Sequence, residues 1–249
     1  MPGIDLLSAS VILFALALGG TIKGATGAGA PVVAVPVIAA FFDVRLAVII
    51  MATPNCLTNI RQLWQYWPHR MHDGFDVRFA VSGAAGAILG TIFLATLPIR
   101  ILTLGIALAV TAYIALRVMH PNFRVSRSRA WRWALPAGIA AGTLHGAAGI
   151  SAPVSVSFLN AMRLERPTFI ATISVFFFAM SLVQLPTLAV TGLMTAELFA
   201  LSLLAVLPIL AFMPIGAWLA KKLSAEGFDR LVLIMLSVLA MRLLYVAVI

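Results

Sequence analysis

Long apolar runs follow one another almost from end to end of this chain, separated only by short polar stretches. They fall at about 6–22, 30–42, 45–67, 77–98, 100–119, 133–147, 152–162, 168–190, 197–220 and 230–249. Most approach or exceed the roughly 20 residues that an α-helix needs to cross the hydrocarbon core of a bilayer. A transmembrane barrel would show alternating segments of about ten residues instead, and none occurs. The pattern predicts an all-α polytopic membrane protein. Four runs are short and form two pairs, 6–22 with 30–42 and 133–147 with 152–162. Each pair is divided by a stretch rich in glycine and closed by proline.

Those two stretches are related. "GTIKGATGAGAP" at 20–31 and "GTLHGAAGISAP" at 142–153 agree at seven of twelve positions, and His145 stands where Lys23 stood. At the same offset of 122, Asp43 matches Glu165, Asn59 matches Ser181 and Gln62 matches Gln184. Further on, "GAILGTIFLATLP" and "AFMPIGAWLAKKLS" share a weaker pattern at a slightly larger offset. Two copies of one helical unit is the economical explanation, and internal repeats of this kind characterise many transporters. The expected organisation is a first membrane repeat at 1–119 with its broken segment at 20–31, a basic linker at 120–132, and a second repeat at 133–249 broken at 142–153.

Charge decides how the halves are oriented. The 249 residues carry a net charge of +9, but only 10% are charged and 62% are hydrophobic. In a soluble protein this excess would suggest nucleic acid. Here the basic residues cluster in short loops such as "RVMHPNFRVSRSRAWR", which reads as a topology signal. If each broken pair dips in and returns, Lys and Arg divide 7 against 7 between the two sides; if each pair crosses twice, they divide 12 against 2. The second division obeys the positive-inside rule. Each half then crosses five times, so the halves are inverted, with both chain ends outside and the linker cytoplasmic. No cleavable leader is expected, because no Lys or Arg precedes the first apolar run. The single Cys56 allows no internal disulfide and reads as a packed thiol.

The candidate chemistry sits in the two breaks. Pro31 and Pro153 suit the first turn of a new helix, where a missing N–H costs nothing. The glycines before them, Gly27, Gly29 and Gly149 among them, let the chain open, and the hydroxyls of Ser151, Ser155 and Ser157 could contact oxyanions or bond back to helix carbonyls. The free N–H groups of a helix N-terminus then make an anion site. Lys23 is the sharpest signal, since an ammonium at this depth costs at least about 2.5–3.5 kcal/mol; snorkelling to an interface is the bland alternative. His145 could hold or release a proton near neutral pH. Asn55, Thr58, Asn59 and Gln62 share one helical face, as do Ser174, Ser181 and Gln184 in the second copy. These amides either line a polar path or bond neighbouring helices. Arg61 points elsewhere and reads as an interface anchor, and the tryptophans at 64, 67, 131 and 133, with Tyr66, read as interfacial belts. Gly86 and Gly90 read as close helix packing. All eight acidic residues fall at segment ends or in loops, which leaves no intramembrane carboxylate for a cation pump and agrees with a site for a small anion.

Two halves that each open with a Gly-rich, Pro-terminated motif like "GATGAGAPVVAVP", with "GTIFLATLP" following a glycine-rich helix, resemble the sulfite exporter TauE/SafE family of membrane permeases. The resemblance implies transport of sulfite or organosulfonates across a bacterial cytoplasmic membrane. The residues themselves support a small anion, a cationic mid-membrane site and an inverted repeat. The expected substrate-binding set is Lys23, Gly27, Gly29, Ala30, Pro31, Asn55, Asn59, Gln62, His145, Gly149, Ser151, Pro153 and Gln184, with no catalytic residue, metal or cofactor. The expected partners are a small anionic substrate and the lipid bilayer, without nucleic acid; a homodimer is an open option. A non-transporting scaffold or assembly subunit is the alternative. An intramembrane enzyme is disfavoured, because no H-E-x-x-H motif and no pair of intramembrane acids occurs.

Overall fold

The structure is a computed structural model that describes residues 6–119, 124–222, 237 and 241. Among the described residues it contains ten α-helices, a short 3-10 helix at Trp67–His69 and no strand. They are α1 (Leu6–Thr26), α2 (Ala30–Phe41), α3 (Val44–Tyr66), α4 (Phe75–Thr96), α5 (Ile99–Met119), α6 (Arg127–Ala148), α7 (Ser155–Ala161), α8 (Arg166–Val190), α9 (Ala196–Leu204) and α10 (Val206–Lys222). Most of the expected segment at 230–249, together with Asp5, Glu226, Asp229, Arg230 and Arg242, lies outside the described residues, as does 120–123 of the linker. Ser8–Thr26, Phe75–Thr96, Arg166–Val190 and Ala196–Ala220 are long and apolar enough to cross a membrane.

The broken pairs differ from expectation in their lengths. α1 runs on through Gly20 and Gly24 to Thr26, and α6 starts at Arg127 inside the stretch read as linker. Both are therefore of full spanning length. Their partners are short: at 1.5 Å per residue, α2 is about 18 Å long and α7 about 10 Å, against a hydrocarbon core of about 30 Å. The helix of α1 stops where Gly27 (φ 79°) and Gly29 (φ 110°) turn into the left-handed region, with the Gly27 N–H closing on the Lys23 carbonyl at 2.7 Å. Gly149 (φ 70°) ends α6 in the same way on the His145 carbonyl, also at 2.7 Å. Pro31 occupies the first turn of α2, as the sequence predicts. Pro153 does not open α7. Ser151 caps a tight turn, accepting from the Ser155 N–H at 2.8 Å and the Ser155 hydroxyl at 3.0 Å, and the helix begins only at Ser155.

Backbones meet closely at two helix pairs, and the contacts repeat. A Cβ on Gly20 or Gly24 would collide with the carbonyls of Ile209 and Met213, and one on Gly216 with that of Thr21. On the other pair, Gly142 and Gly146 lie against the Gly83 and Ala87 carbonyls, and Gly90 against that of Thr143. The α1 and α6 members correspond at offset 122, and the α10 and α4 members at offset 126. Small residues that let backbones approach supply van der Waals contact where lipid gives no hydrophobic drive. α3 and α8 pack on each other at the centre, α4 also packs on α8, and α9 on α3.

Proline inside α3 has a visible consequence. Pro54 offers no N–H to the Ile50 carbonyl, and the Ser202 hydroxyl of α9 donates to that carbonyl at 3.0 Å while accepting from the Thr53 N–H at 3.1 Å.

Side-chain contacts sort the helix ends into two groups. At one end Arg70 pairs with Asp76 at 3.4 Å and stacks on Trp67, Arg78 stacks on Trp131, and Arg127 bonds Asp73. Partial burial pushes the Asp73 carboxyl up, but the Arg127 and Phe75 N–H hydrogen bonds together outweigh it and hold the group below the usual carboxylate range. The Val125 N–H reaches the Ala161 carbonyl at 2.8 Å, and Arg166 caps α1 on the Ala25 carbonyl at 2.9 Å. α10 runs parallel to α1 and ends here with Lys222. At the other end Asp43 caps α3, and Arg45 donates to the Leu94 and Leu97 carbonyls at 2.9 and 2.8 Å, closing the end of α4.

Candidate functional site

Lys23 is fully buried one turn before the end of α1. Its ammonium donates to Asn59 Oδ1 at 2.9 Å and lies 5.8 Å from the centre of the Phe177 ring. No carboxylate among the described residues pairs with it. Asn59 Nδ2 donates to the Asn55 carbonyl at 2.6 Å and to Asn55 Oδ1 at 3.0 Å. Asn55 Nδ2 in turn reaches Ser181 Oγ at 3.0 Å and His145 Nε2 at 3.5 Å. The Ser181 hydroxyl donates to the Phe177 carbonyl at 2.9 Å. One chain of donors thus links α1, α3, α8 and α6.

This network meets α3 near its middle and α1 one turn from its end. Asn55 is the central residue of α3, Val44–Tyr66, so about 17 Å of helix extends on either side of it. The spacing of Asn55, Asn59 and Gln62 puts all three on the face turned to α8 and α1, and all are buried.

Gln62 Oε1, on the same face of α3 as the network, is buried without a partner. An orphaned group at low dielectric costs about 1–3 kcal/mol, so it points to a missing partner. A cavity of about 190 Å³ reaches in from the arginine-rich end, lined by Gly24, Gly27, Arg61, Gln62, Gln65 and Tyr66 among others. A second, of about 400 Å³, lies against Arg61, Trp64 and Gln65. Arg61 therefore faces the approach to Gln62, where the sequence suggested only an anchor.

A family model described as "Sulfite exporter TauE/SafE" matches residues 12–243. The chain belongs to the sulfite exporter TauE/SafE family. This is a family of membrane transporters for sulfite and related sulfur anions. No curated protein and no solved structure matches the chain.

For this family member, the structure gathers Lys23, Asn55, Asn59 and His145 into one network, with Gln184 bordering the His145 ring and Gln62 one turn along α3. It does not bring the two breaks to the ammonium in the same way. Gly27 lines the smaller cavity and packs on Ile170, while Gly29 packs on Ile22. Ala30 and Pro31 are buried at the start of α2. Gly149 packs on Val35 and Val48, and Ser151 bonds within its own turn. Ser181 and Phe177 complete the network and stand outside the expected binding set. The offset of 122 pairs them with Asn59 and Asn55, which was the available signal.

Proposed function

We propose that this protein is a permease for a small sulfur oxyanion or organosulfonate, such as sulfite, and that it works by alternating access between two inverted repeats. The observation that carries the reading is Lys23: a fully buried ammonium whose partners, Asn59 Oδ1 and the Phe177 ring, are neutral. At an effective dielectric near 20, an anion about 4 Å from an ammonium gains about 4 kcal/mol, which offsets the burial of both charges. Gln62, which lines the smaller cavity, supplies neutral polarity. Family membership supports sulfur anions as the class.

The repeated glycine contacts support two equivalent units, and the grouping of helix ends supports their inversion. Arginines and lysines gather at the end that holds Arg70, Arg78, Arg127 and Lys222, with Arg45 at the other. By the positive-inside rule the first end, with linker 120–132, is cytoplasmic, in a bacterial cytoplasmic membrane.

The test is thermal unfolding of purified protein with sulfite, methanesulfonate and control anions, beside counterflow of labelled sulfite in proteoliposomes. Stabilisation and counterflow in the wild type, both lost in Lys23→Gln, are expected. Counterflow that survives in folded Lys23→Gln would refute the role of Lys23. Absence of stabilisation and of counterflow in the wild type would refute the permease reading.

A further inference from the structure

We propose that the smaller cavity is an outer anion vestibule, in which the Arg61 guanidinium captures a small oxyanion at the arginine-rich end and the Gln62 amide holds it one helical turn short of Asn59, the partner of Lys23. The inference rests on the permease reading and adds a second cation to its path.

The cavity, of about 190 Å³, lies among four helices. Glycines of α1 and apolar residues of α8 and α10 form three walls, and α3 supplies Arg61, Gln62, Gln65 and Tyr66. Its volume is several times the roughly 30 Å³ that one water occupies in the liquid, which admits a small oxyanion with part of its hydration. α3 ends at Tyr66, so Arg61 stands about 7.5 Å from that end and Gln62 about 4.5 Å along the axis from Asn59. Asn59 Oδ1 accepts from the Lys23 ammonium at 2.9 Å. Arg61 and Gln65 also line the larger cavity, so Arg61 borders both spaces.

Arg61 is exposed and has no hydrogen bond, ion pair or ring contact among the described residues. Arg70, Arg127 and Arg166 are by contrast committed, to Asp76, to Asp73 and to the Ala25 carbonyl. Snorkelling explains an arginine that reaches along lipid, but not one that lines a space between helices. Among the described residues no Asp or Glu lines either cavity, so no carboxylate there competes for the guanidinium.

Gln62 is 5% exposed, and its Oε1 is buried without a partner. No hydrogen bond joins its amide to any described residue. The two ends of an amide want different partners, since the oxygen accepts and the nitrogen donates. An anion oxygen answers Nε2, and a water carried in with the anion answers Oε1. The guanidinium narrows the class further. Two oxygens on one atom can accept two of its N–H groups side by side, which a halide cannot do. The ligand is therefore an oxyanion such as sulfite or a sulfonate.

The experiment is counterflow of labelled sulfite in proteoliposomes that hold the full chain, with a bulky organic anion as the salt. Arg61→Gln should raise the half-saturating concentration on the order of ten-fold and leave the maximal rate within about two-fold, the signature of lost ground-state binding. Arg61→Lys should recover part of the affinity but not all of it, because an ammonium keeps the charge and lacks the fork. The gap between wild type and Arg61→Gln should narrow in about 1 M salt, where the Debye length falls to about 3 Å. Gln65→Arg sets a second guanidinium at an exposed position of the same cavity. It should lower the half-saturating concentration several-fold, and it tests the vestibule even if Arg61→Gln fails to fold. An unchanged half-saturating concentration in folded Arg61→Gln or in Gln65→Arg overturns the vestibule, as does a fall in maximal rate alone. Counterflow in the wild type that is lost in Lys23→Gln then leaves the permease reading standing. No counterflow in the wild type overturns both.

Discussion

Replacing Lys23 by Met should separate stability from function. The substitution keeps an unbranched side chain of similar length and removes the charge. In the folded wild type the ammonium is wholly buried, which costs at least about 2.5–3.5 kcal/mol relative to water. Its removal leaves Asn59 Oδ1 without the 2.9 Å donor, a loss of about 1–3 kcal/mol. The contact with the Phe177 ring is 5.8 Å from its centre, near the limit for such an attraction, and a thioether–aromatic contact of similar size replaces it. The balance runs from about 0.5 kcal/mol of destabilisation to about 2.5 kcal/mol of stabilisation. At roughly 2–4 °C per kcal/mol for a chain of this size, Tm should lie between about 2 °C below and 10 °C above wild type. The assay is thermal unfolding in mild detergent with a bulky organic anion as buffer salt, so that no small anion fills the site. The same variant should lose the stabilisation that methanesulfonate gives the wild type. A fall of more than about 2 kcal/mol without ligand would refute the reasoning, because it would make Lys23 a structural strut with net favourable pairing.

Gly90→Val should destabilise by about 3 kcal/mol or more, because its Cβ would overlap the Thr143 carbonyl and a backbone neighbour cannot yield. Gly105→Ala is the control: nothing lies within 4 Å, and the helix should gain up to about 1 kcal/mol, both read as Tm shifts. Ser202→Ala should cost about 1–3 kcal/mol by orphaning the Ile50 carbonyl that Pro54 leaves free, and Pro54→Ala should recover part of that loss in the double variant. Asp73 has a depressed folded-state pKa, so its contribution is present above the unfolded value and is lost as pH falls through the folded one. Asp73→Asn should change stability at pH 7 by less than about 1 kcal/mol, the pair being half-exposed, and should flatten the loss of stability below about pH 4.

The offset of 122 pairs several residues of the hydrogen-bonded network. It paired Lys23 with His145 and Asn59 with Ser181, and the helical face of Asn55, Asn59 and Gln62 needed only their spacing. Glycine was harder to read, because the same residue serves two purposes. Gly20 and Gly24 do not open α1; they let it lie against α10, and the helix survives them. The opening comes at Gly27 and Gly29, where φ is positive. Only the partner helix tells these uses apart, and the partner is nearly two hundred residues away in sequence. Pro153 misled for a local reason: the Ser151–Ser155 turn absorbs the N–H and hydroxyl groups that a helix start would leave free. The bond from Ser202 to the Ile50 carbonyl spans 152 residues and has no periodicity to announce it.

The two glycine-packed helix pairs match each other more closely than the polar side chains beside them do, and the network offers a reason. A donor chain has a direction. It begins at an ammonium, which only donates, and ends at the Phe177 carbonyl and His145 Nε2, which accept. A strictly symmetric site would need two ammonium groups, each demanding the acceptor end of the amides between them. Asn55 cannot meet both, since its carbonyl oxygen is already taken by Asn59. Two copies free to diverge within one chain would release this conflict. The packing glycines stay matched because both helix pairs need the same close approach, while the residue before each break is free to diverge. Under the proposed reading, a lysine before one break and a histidine before the other leave one cation to meet one anion.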